Sequence, residues 1–183
     1  MRKLILFNMM TLDGFFEGPK HNIDWHVVDE EFNWFAIEQL DQVEAIVFGR
    51  VTYELMAGYW PTPQAIADDP EVAGRMNAIP KIVFSKTLKE ARWNNTRLIP
   101  GEAAEKIIPL KEAPGRDLII FGSADLASGL TREGLIDEYR IIVNPVILGG
   151  GTRLFSGARV PLKLLRTRVF ASGNVLLVYE PHR

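Results

Sequence analysis

The chain has 183 residues, a hydrophobic fraction of 47% and a formal net charge of −2. That is enough chain for one buried core, too apolar for a disordered segment, and free of the clustered Lys and Arg that a nucleic-acid surface needs. There is no cysteine, which excludes disulfides, zinc–thiolate sites and thiol nucleophiles and agrees with a reducing, cytoplasmic setting.

The N-terminal MRKLILFNMM runs into TLDGFFEG with no small-residue cleavage site, so it reads as a first strand rather than a signal peptide. No apolar stretch approaches the roughly 20 residues of a bilayer-spanning helix, so no membrane partner is expected. Residues 3–10 are near-continuously apolar, the pattern of a strand buried on both faces. The turn-rich TLDGFFEGPKHN follows, with Asp13-Gly14 forming a turn. Residues 29–42 carry Phe32, Phe35 and Leu40 behind a group of acids, an amphipathic helix with a favourable dipole. AIVFG (45–49) is a second strand, and 51–59 open a helix. Pro61, Pro63 and Pro70 break the segment 61–80 and leave one short helix near 70–78.

KIVFS (81–85) is a third strand and TRLIP (96–100) a weaker one. Residues 101–115 form a helix interrupted or ended near Pro109. DLIIFG (117–122) is another buried strand, followed by the helix SADLASGLTREG. DEYRIIVNPVI (137–147) is a strand made irregular or edge-like by Pro145. LKLLRTRVF and NVLLVYEP, separated by ASG, form an antiparallel hairpin over 162–180. The alternation predicts one α/β domain over 1–183, its central sheet mostly parallel, with the antiparallel hairpin at its end.

A phosphate loop needs a strand, a glycine and then a helix, whose first amides are unpaired and whose dipole is positive there. Two turns qualify, and a third candidate lacks the glycine. Gly122 ends 117–122, and Ser123 is placed to cap the helix that follows. Ala124 and Asp125 lie in that helix's first turn, Asp125 with its carboxylate directed away from any phosphate. Gly49 ends 45–49, and Arg50 and Thr52 add a guanidinium fork and a hydroxyl. Ser85 and Lys86 follow 81–85. In open α/β sheets ligands bind outside such strand ends. The triple glycine 149–151 does not qualify, because Gly157 and Pro161 leave no room for a helix behind it. It reads as a sharp turn or close backbone approach, a cofactor or substrate contact being the alternative. His21, His26 and His182 have no metal-ligand spacing, so no metal is expected.

The segments MTLDGFFEG, VFGRVTYELM, IVFSKTL and FGSADLASGLTREGLIDEYRIIVNPVILGGG occur in this order. With them the chain resembles the dihydrofolate reductase superfamily. Within it, the nearest likeness is to the C-terminal reductase domain of the bacterial riboflavin-biosynthesis deaminase–reductase, most specifically over 117–151. The resemblance implies a dihydrofolate-reductase-like three-layer fold and NADPH as cofactor. It implies hydride transfer to a small heterocyclic substrate, as in 5-amino-6-(5-phosphoribosylamino)uracil reductase, and a homodimer. It places Gly49, Arg50 and Thr52 at the cofactor phosphates, Ser85 and Lys86 at the adenosine 2′-phosphate, and Gly122, Ser123, Ala124 and Asp125 at the pyrophosphate. It sets the Asp13 loop beside the nicotinamide. Trp25 and His26 read equally well as pocket residues or as part of a surface loop.

Dihydrofolate reductases use an acid on the first helix to bind substrate, and Glu31 is nearest that role, with Asp13 or a bound water as the next catalytic candidate for the proton. An acid sharing a helical face with Trp34 and Phe35 is expected to have a raised pKa and to donate a proton. The bland reading is that Asp29, Glu30 and Glu31 only favour the helix start. The chain departs from the family in its short Gly122-Ser123 run, in lacking the deaminase half with its zinc ligands, and in showing no evident substrate-phosphate arginines. Dihydrofolate reduction and a non-catalytic nucleotide-binding or scaffold role therefore stand as alternatives.

Overall fold

The layering follows from the first strand. In Leu4–Thr11 (β1), Leu4 and Leu6 enter one core cluster while Ile5, Phe7 and Met9 enter another, as the period-two alternation of a strand requires. A strand apolar on both sides needs cover on both sides. The computed structural model, which describes residues 1–157 and 159–182, supplies it with helices on each face of one large sheet.

The other strands are Phe15–Glu17 (β2), Val43–Gly49 (β3), Lys81–Phe84 (β4), Thr96–Ile99 (β5), Asp117–Phe121 (β6), Glu138–Asn144 (β7), Thr152–Arg153 (β8), Leu162–Val169 (β9) and Val175–Pro181 (β10). The helices are Glu30–Gln42 (α1), Arg50–Tyr59 (α2), Pro63–Asp68 (α3), Pro70–Ala78 (α4), Ala103–Glu112 (α5) and Ala124–Arg132 (α6). Eight strands form a sheet in the order β5-β4-β3-β6-β1-β7-β10-β9. The pairs from β5 to β7 are parallel, and β10 joins β7 and β9 antiparallel. Helices α1, α2 and α4 cover one face through Phe35, Leu40, Tyr53, Val72 and Met76. Helices α5 and α6 cover the other through Ile107, Ala127 and Leu130. This is the expected α/β sheet with its C-terminal hairpin.

Four stretches differ from the sequence reading. The segment 61–80 holds two helices rather than one, because Pro63 and Pro70 start α3 and α4 instead of breaking them. Proline suits the first helical position, where its missing N–H costs nothing and its fixed φ is already helical. Thr62 and Asp69 cap the two helices by accepting from Ala65 N and Val72 N. Helix α5 runs through Pro109 to Glu112. Pro109 and Glu105 are both exposed, so the carbonyl that proline leaves without a donor faces water. Finally β7 stops at Asn144, before Pro145, and the loop after β1 holds the short β2, which pairs with β8.

Candidate functional site

The parallel strands β1, β3, β4, β6 and β7 end on one side of the sheet. There the turn after β3 and the turn after β6 are locked together. Gly49 N donates to Ser123 Oγ at 2.9 Å, and Ser123 N donates to Thr52 Oγ1 at 2.8 Å. Ser123 Oγ in turn donates to Phe121 O, and Asn8 Nδ2 of β1 donates to Gly122 O at 3.2 Å. Gly122 and Ser123 are both left-handed, with φ of +58° and +60°. A Cβ on Gly122 would lie 2.8 Å from Thr52 Cγ2, so only glycine lets the two turns approach this closely.

Ser123 occupies the N-cap position of α6, but its hydroxyl makes no capping bond to that helix. The cap expected from the sequence is absent because the left-handed backbone turns the side chain towards Gly49. Asp29, Thr62 and Asp69 cap α1, α3 and α4 through their side chains, whereas α2, α5 and α6 have no side-chain cap. The first-turn amides at both glycine turns are thus left for an anion, whose charge the helix dipoles favour.

The third turn lies next along the edge, since Gly49 is in register with Phe84 of β4. Ser85 Oγ accepts from Thr87 N and Leu88 N at 3.1 and 2.9 Å and shapes the turn. Lys86 pairs with Glu102, and Arg50 with Glu54 at 2.7 Å. Both cations are exposed in pairs of the kind that contribute little stability and open readily. Ala124 is half-buried and Asp125 exposed in the first turn of α6.

Asp13 and Glu31 are committed elsewhere. Asp13 accepts from Thr11 Oγ1 at 2.6 Å, Gly149 N at 2.8 Å and Leu148 N at 3.2 Å. The Thr11 hydroxyl, followed by these amides, holds its carboxyl below the usual range. Asp13 thereby pins the turn that begins the triple glycine. A Cβ on Gly151 would lie 2.1 Å from Glu17 O, so this stretch is a close backbone approach between the β2 and β8 segments, as its glycines suggest.

Glu31 accepts from Ala171 N at 2.9 Å and from Arg168 at 3.0 Å, tying α1 to the β9–β10 turn. Its pKa is lowered, first by the Ala171 amide and then by Arg168. The raised value expected from an aromatic face is not found, because Trp34 turns out to solvent at 59% exposure.

Two features escaped the sequence reading. One is a row of aromatic rings from the Gly122 turn to α1: Phe121 against Phe7 at 5.4 Å, Phe7 against Phe35 at 5.9 Å, and Phe35 against Phe32 at 6.4 Å. The other is a clasp on Val27. Its N–H is taken by Asn144 Oδ1 at 2.9 Å and its carbonyl by Asn174 Nδ2 at 2.8 Å, both asparagines being wholly buried. Around this clasp, Trp25 Nε1, His26 Nε2, Asn144 Nδ2, Ser172 Oγ and Asn174 Oδ1 are buried without a partner among the described residues. Burial pushes His26 down to about 4, so its imidazole is neutral. Such a group of orphaned atoms calls for a polar ligand or ordered water. A buried asparagine beside a proline was the one available signal in the sequence.

A cavity of about 580 Å³ opens at the opposite end of the sheet, beside Arg2, Lys3, Asp137 and Glu180. Its charges are internally paired, Lys3 with Glu138, Asp137 with Lys111 and Lys163 with Glu180. It is remote from the glycine turns and is not a candidate for their chemistry. Among the described residues no helix is long and apolar enough to cross a membrane, and no group of three or more His, Asp or Glu is placed to hold a metal ion.

The RibD C-terminal domain family matches residues 2–178. The uncharacterized protein YyaP of Bacillus subtilis (strain 168) is 34% identical over 181 residues, covering 98% of this chain and 95% of YyaP. Among solved structures, a diaminohydroxyphosphoribosylaminopyrimidine deaminase/5-amino-6-(5-phosphoribosylamino)uracil reductase from Thermotoga maritima superposes with a TM-score of 0.71 at 16% identity, over 99% of this chain and 57% of that one. Dihydrofolate reductase from Enterococcus faecalis, complexed with NADP(H), superposes with a TM-score of 0.67 at 15% identity, over 99% of this chain and 97% of the enzyme. The architecture is thus the dihydrofolate-reductase-like one.

Proposed function

The chain belongs to the RibD C-terminal domain family, and from that premise we propose that it is an NADPH-dependent reductase of a small heterocycle, built as one domain. The observation that carries the reading is the locked pair of glycine turns. Two helices without side-chain caps start side by side, at a place where a Cβ on Gly122 would collide. That donor set fits a pyrophosphate. Gly122 and Ala124 would hold it through backbone amides, with Asp125 outside the contact, while Gly49 and Ser123, whose own N–H groups are taken by Ser123 Oγ and Thr52 Oγ1, would shape the turns. Thr52 and Ser123 set the geometry through their side chains. Arg50, Ser85 and Lys86 would meet a 2′-phosphate, which displaces Glu54 and Glu102 as their acidic partners.

When bound, the dinucleotide supplies the hydride. The chain's own part is to orient the reactants and exclude water. The Phe121–Phe7–Phe35 row gives an apolar wall running from the cofactor turn to α1. The unpartnered polar atoms around Val27 suit the ring nitrogens and carbonyls of a heterocycle. Neither Glu31 nor Asp13 is assigned as proton donor, because N–H and O–H donors keep both ionised. The proton is assigned to water held near His26 and Asn144.

A homodimer is part of the proposal. β9 is an outer strand of the sheet, and Leu162, Leu164, Leu165 and Val169 on it are exposed. Exposed apolar side chains on an outer strand favour pairing with a second copy. A cytoplasmic location is proposed on the absence of cysteine.

Calorimetric titration with NADPH and NADH tests the function. NADPH is expected to bind more tightly, and Lys86→Ala to weaken NADPH about tenfold while leaving NADH unchanged. Oxidation of NADPH on addition of a pyrimidine or pterin, followed by absorbance, tests turnover. Equal affinity for both cofactors in low salt would overturn the cofactor assignment. Tight NADPH binding without turnover of any heterocycle would leave the non-catalytic reading in its place. Light scattering that gives a monomer near 20.6 kDa would remove the dimer.

A further inference from the structure

On the α1 face of the sheet, a second cavity of about 330 Å³ lies between α1 and the hairpin strands β9 and β10. Its apolar floor is Phe35 and Leu176, both part of the core. Its polar side is cationic. Buried Arg140 of β7 donates to Glu138 Oε1 at 2.7 Å and to Gln39 Oε1 at 3.2 Å. Glu138 is shared with Lys3 at 2.9 Å, so one buried carboxylate serves two cations. Arg168 is satisfied by Glu31. Arg166, two residues earlier on β9, is exposed and has no partner among the described residues. Among the residues that line the cavity, the three arginines Arg140, Arg166 and Arg168 stand against one carboxylate, Glu38.

A second and independent observation comes from Gln39. It is 2% exposed and lines the cavity. Its carbonyl is fixed by the Arg140 donor, so its amide NH2 is directed elsewhere, and that nitrogen is buried with no partner among the described residues. A buried donor left unpaired is destabilising, and an acceptor brought by a ligand would remove that cost.

We propose that this cavity binds a small carboxylate with an apolar body, such as an aryl carboxylate. The carboxylate would lie between the Arg166 guanidinium and the Gln39 NH2, and the apolar part on Phe35 and Leu176. A planar guanidinium beside an amide donor matches the two oxygens of a carboxylate. The volume suits a molecule of roughly that size by the usual range for ligand pockets of about 300–1,000 Å³. The site is separate from the glycine turns and does not depend on the reductase reading.

The test is a titration of the 15N-labelled full chain with benzoate, followed by backbone amide shifts, with inorganic phosphate run in parallel. The expected result is a saturable shift grouped on Gln39, Arg166 and Leu176. Arg166→Gln should weaken it about tenfold, and Arg166→Lys, which keeps the charge without the fork, should weaken it less. NADPH affinity should be the same in all three proteins. No saturable shift would overturn the proposal, as would undiminished binding by Arg166→Gln or shifts centred on Gly49 and Gly122. Phosphate binding as tightly as benzoate would also overturn it, since the cavity would then read charge alone.

Discussion

Replacing Gly122 with alanine tests the lock between the two glycine turns. The new Cβ would be 2.8 Å from Thr52 Cγ2 and 3.1 Å from Thr52 Oγ1, in a backbone with φ of +58°. A left-handed conformation costs a non-glycine residue about 1–2 kcal/mol. Moving Thr52 aside breaks its 2.8 Å bond from Ser123 N, a buried donor, and an unpaired buried donor costs about 1–3 kcal/mol. Gly122→Ala should therefore destabilise the chain by about 2–5 kcal/mol, read from the urea midpoint at constant m-value. The decisive comparison is the double variant with Thr52→Ser, which removes the colliding methyl but keeps the hydroxyl. It should recover about 1 kcal/mol or more, a coupling of the size that contacting residues show. The left-handed penalty should remain. NADPH affinity should fall in Gly122→Ala and return in part in the double variant. A cost for Gly122→Ala below about 0.5 kcal/mol, the level of an ordinary surface change, would refute the close-packed turn. So would strict additivity with Thr52→Ser.

Three further outcomes follow from the hydrogen bonds. Lys81 is 1% exposed and donates to Asn77 O, Ile79 O and Asn94 O at 3.0, 2.8 and 2.9 Å, so Lys81→Met should cost about 3 kcal/mol in urea unfolding at pH 7 by leaving three carbonyls unpaired. Burial lowers Lys81 from 10.5 to about 8, so between those values the unfolded chain holds the extra proton. Stability should then rise with pH across that window in the wild type relative to Lys81→Met, and parallel pH profiles would show the reasoning to be wrong. Glu31 is held below its usual pKa by Ala171 N and then Arg168, so it stabilises the fold at neutral pH and the effect is lost as pH falls through its folded value. Glu31→Gln should lower Tm at pH 7, converge towards the wild type in acid and leave NADPH affinity unchanged; a Tm gap that does not narrow as pH falls below 4.5 would contradict this. Asp13→Asn should speed hydrogen exchange at the Gly149 and Leu148 amides that Asp13 now holds, and unchanged protection would mean that the glycine turn is fixed by other contacts.

The parts of this fold legible in the sequence are those where local pattern and tertiary environment agree. DLIIF and AIVF are strands because β-branched and aromatic residues covered on both faces leave no other economical arrangement. Gly49 and Gly122 were legible as turns for the same reason. Pro63 and Pro70 misled because a proline is a breaker or an initiator according to what precedes it. The deciding residues lie one position upstream, Thr62 and Asp69, both good caps.

The role of Ser123 could not be read locally at all. Its identity suggests a cap, but two successive left-handed residues turn its hydroxyl across to a strand 74 residues earlier. Glu31 shows the same limit in charge. The helical period puts it on the same side as two aromatics, yet its pKa is set by an amide and an arginine from a hairpin 137–140 residues away. Side-chain spacing along one element predicts which groups can meet on that element. It is silent on which partner from a distant strand arrives first, and at this site the distant partners decide the chemistry. The Val27 clasp extends the point. Asn144 and Asn174 lie opposite one another only because β7 and β10 pair antiparallel, Val143 facing Val175. The unpaired Asn144 Nδ2 and Asn174 Oδ1 then make a polar cluster that no single segment encodes.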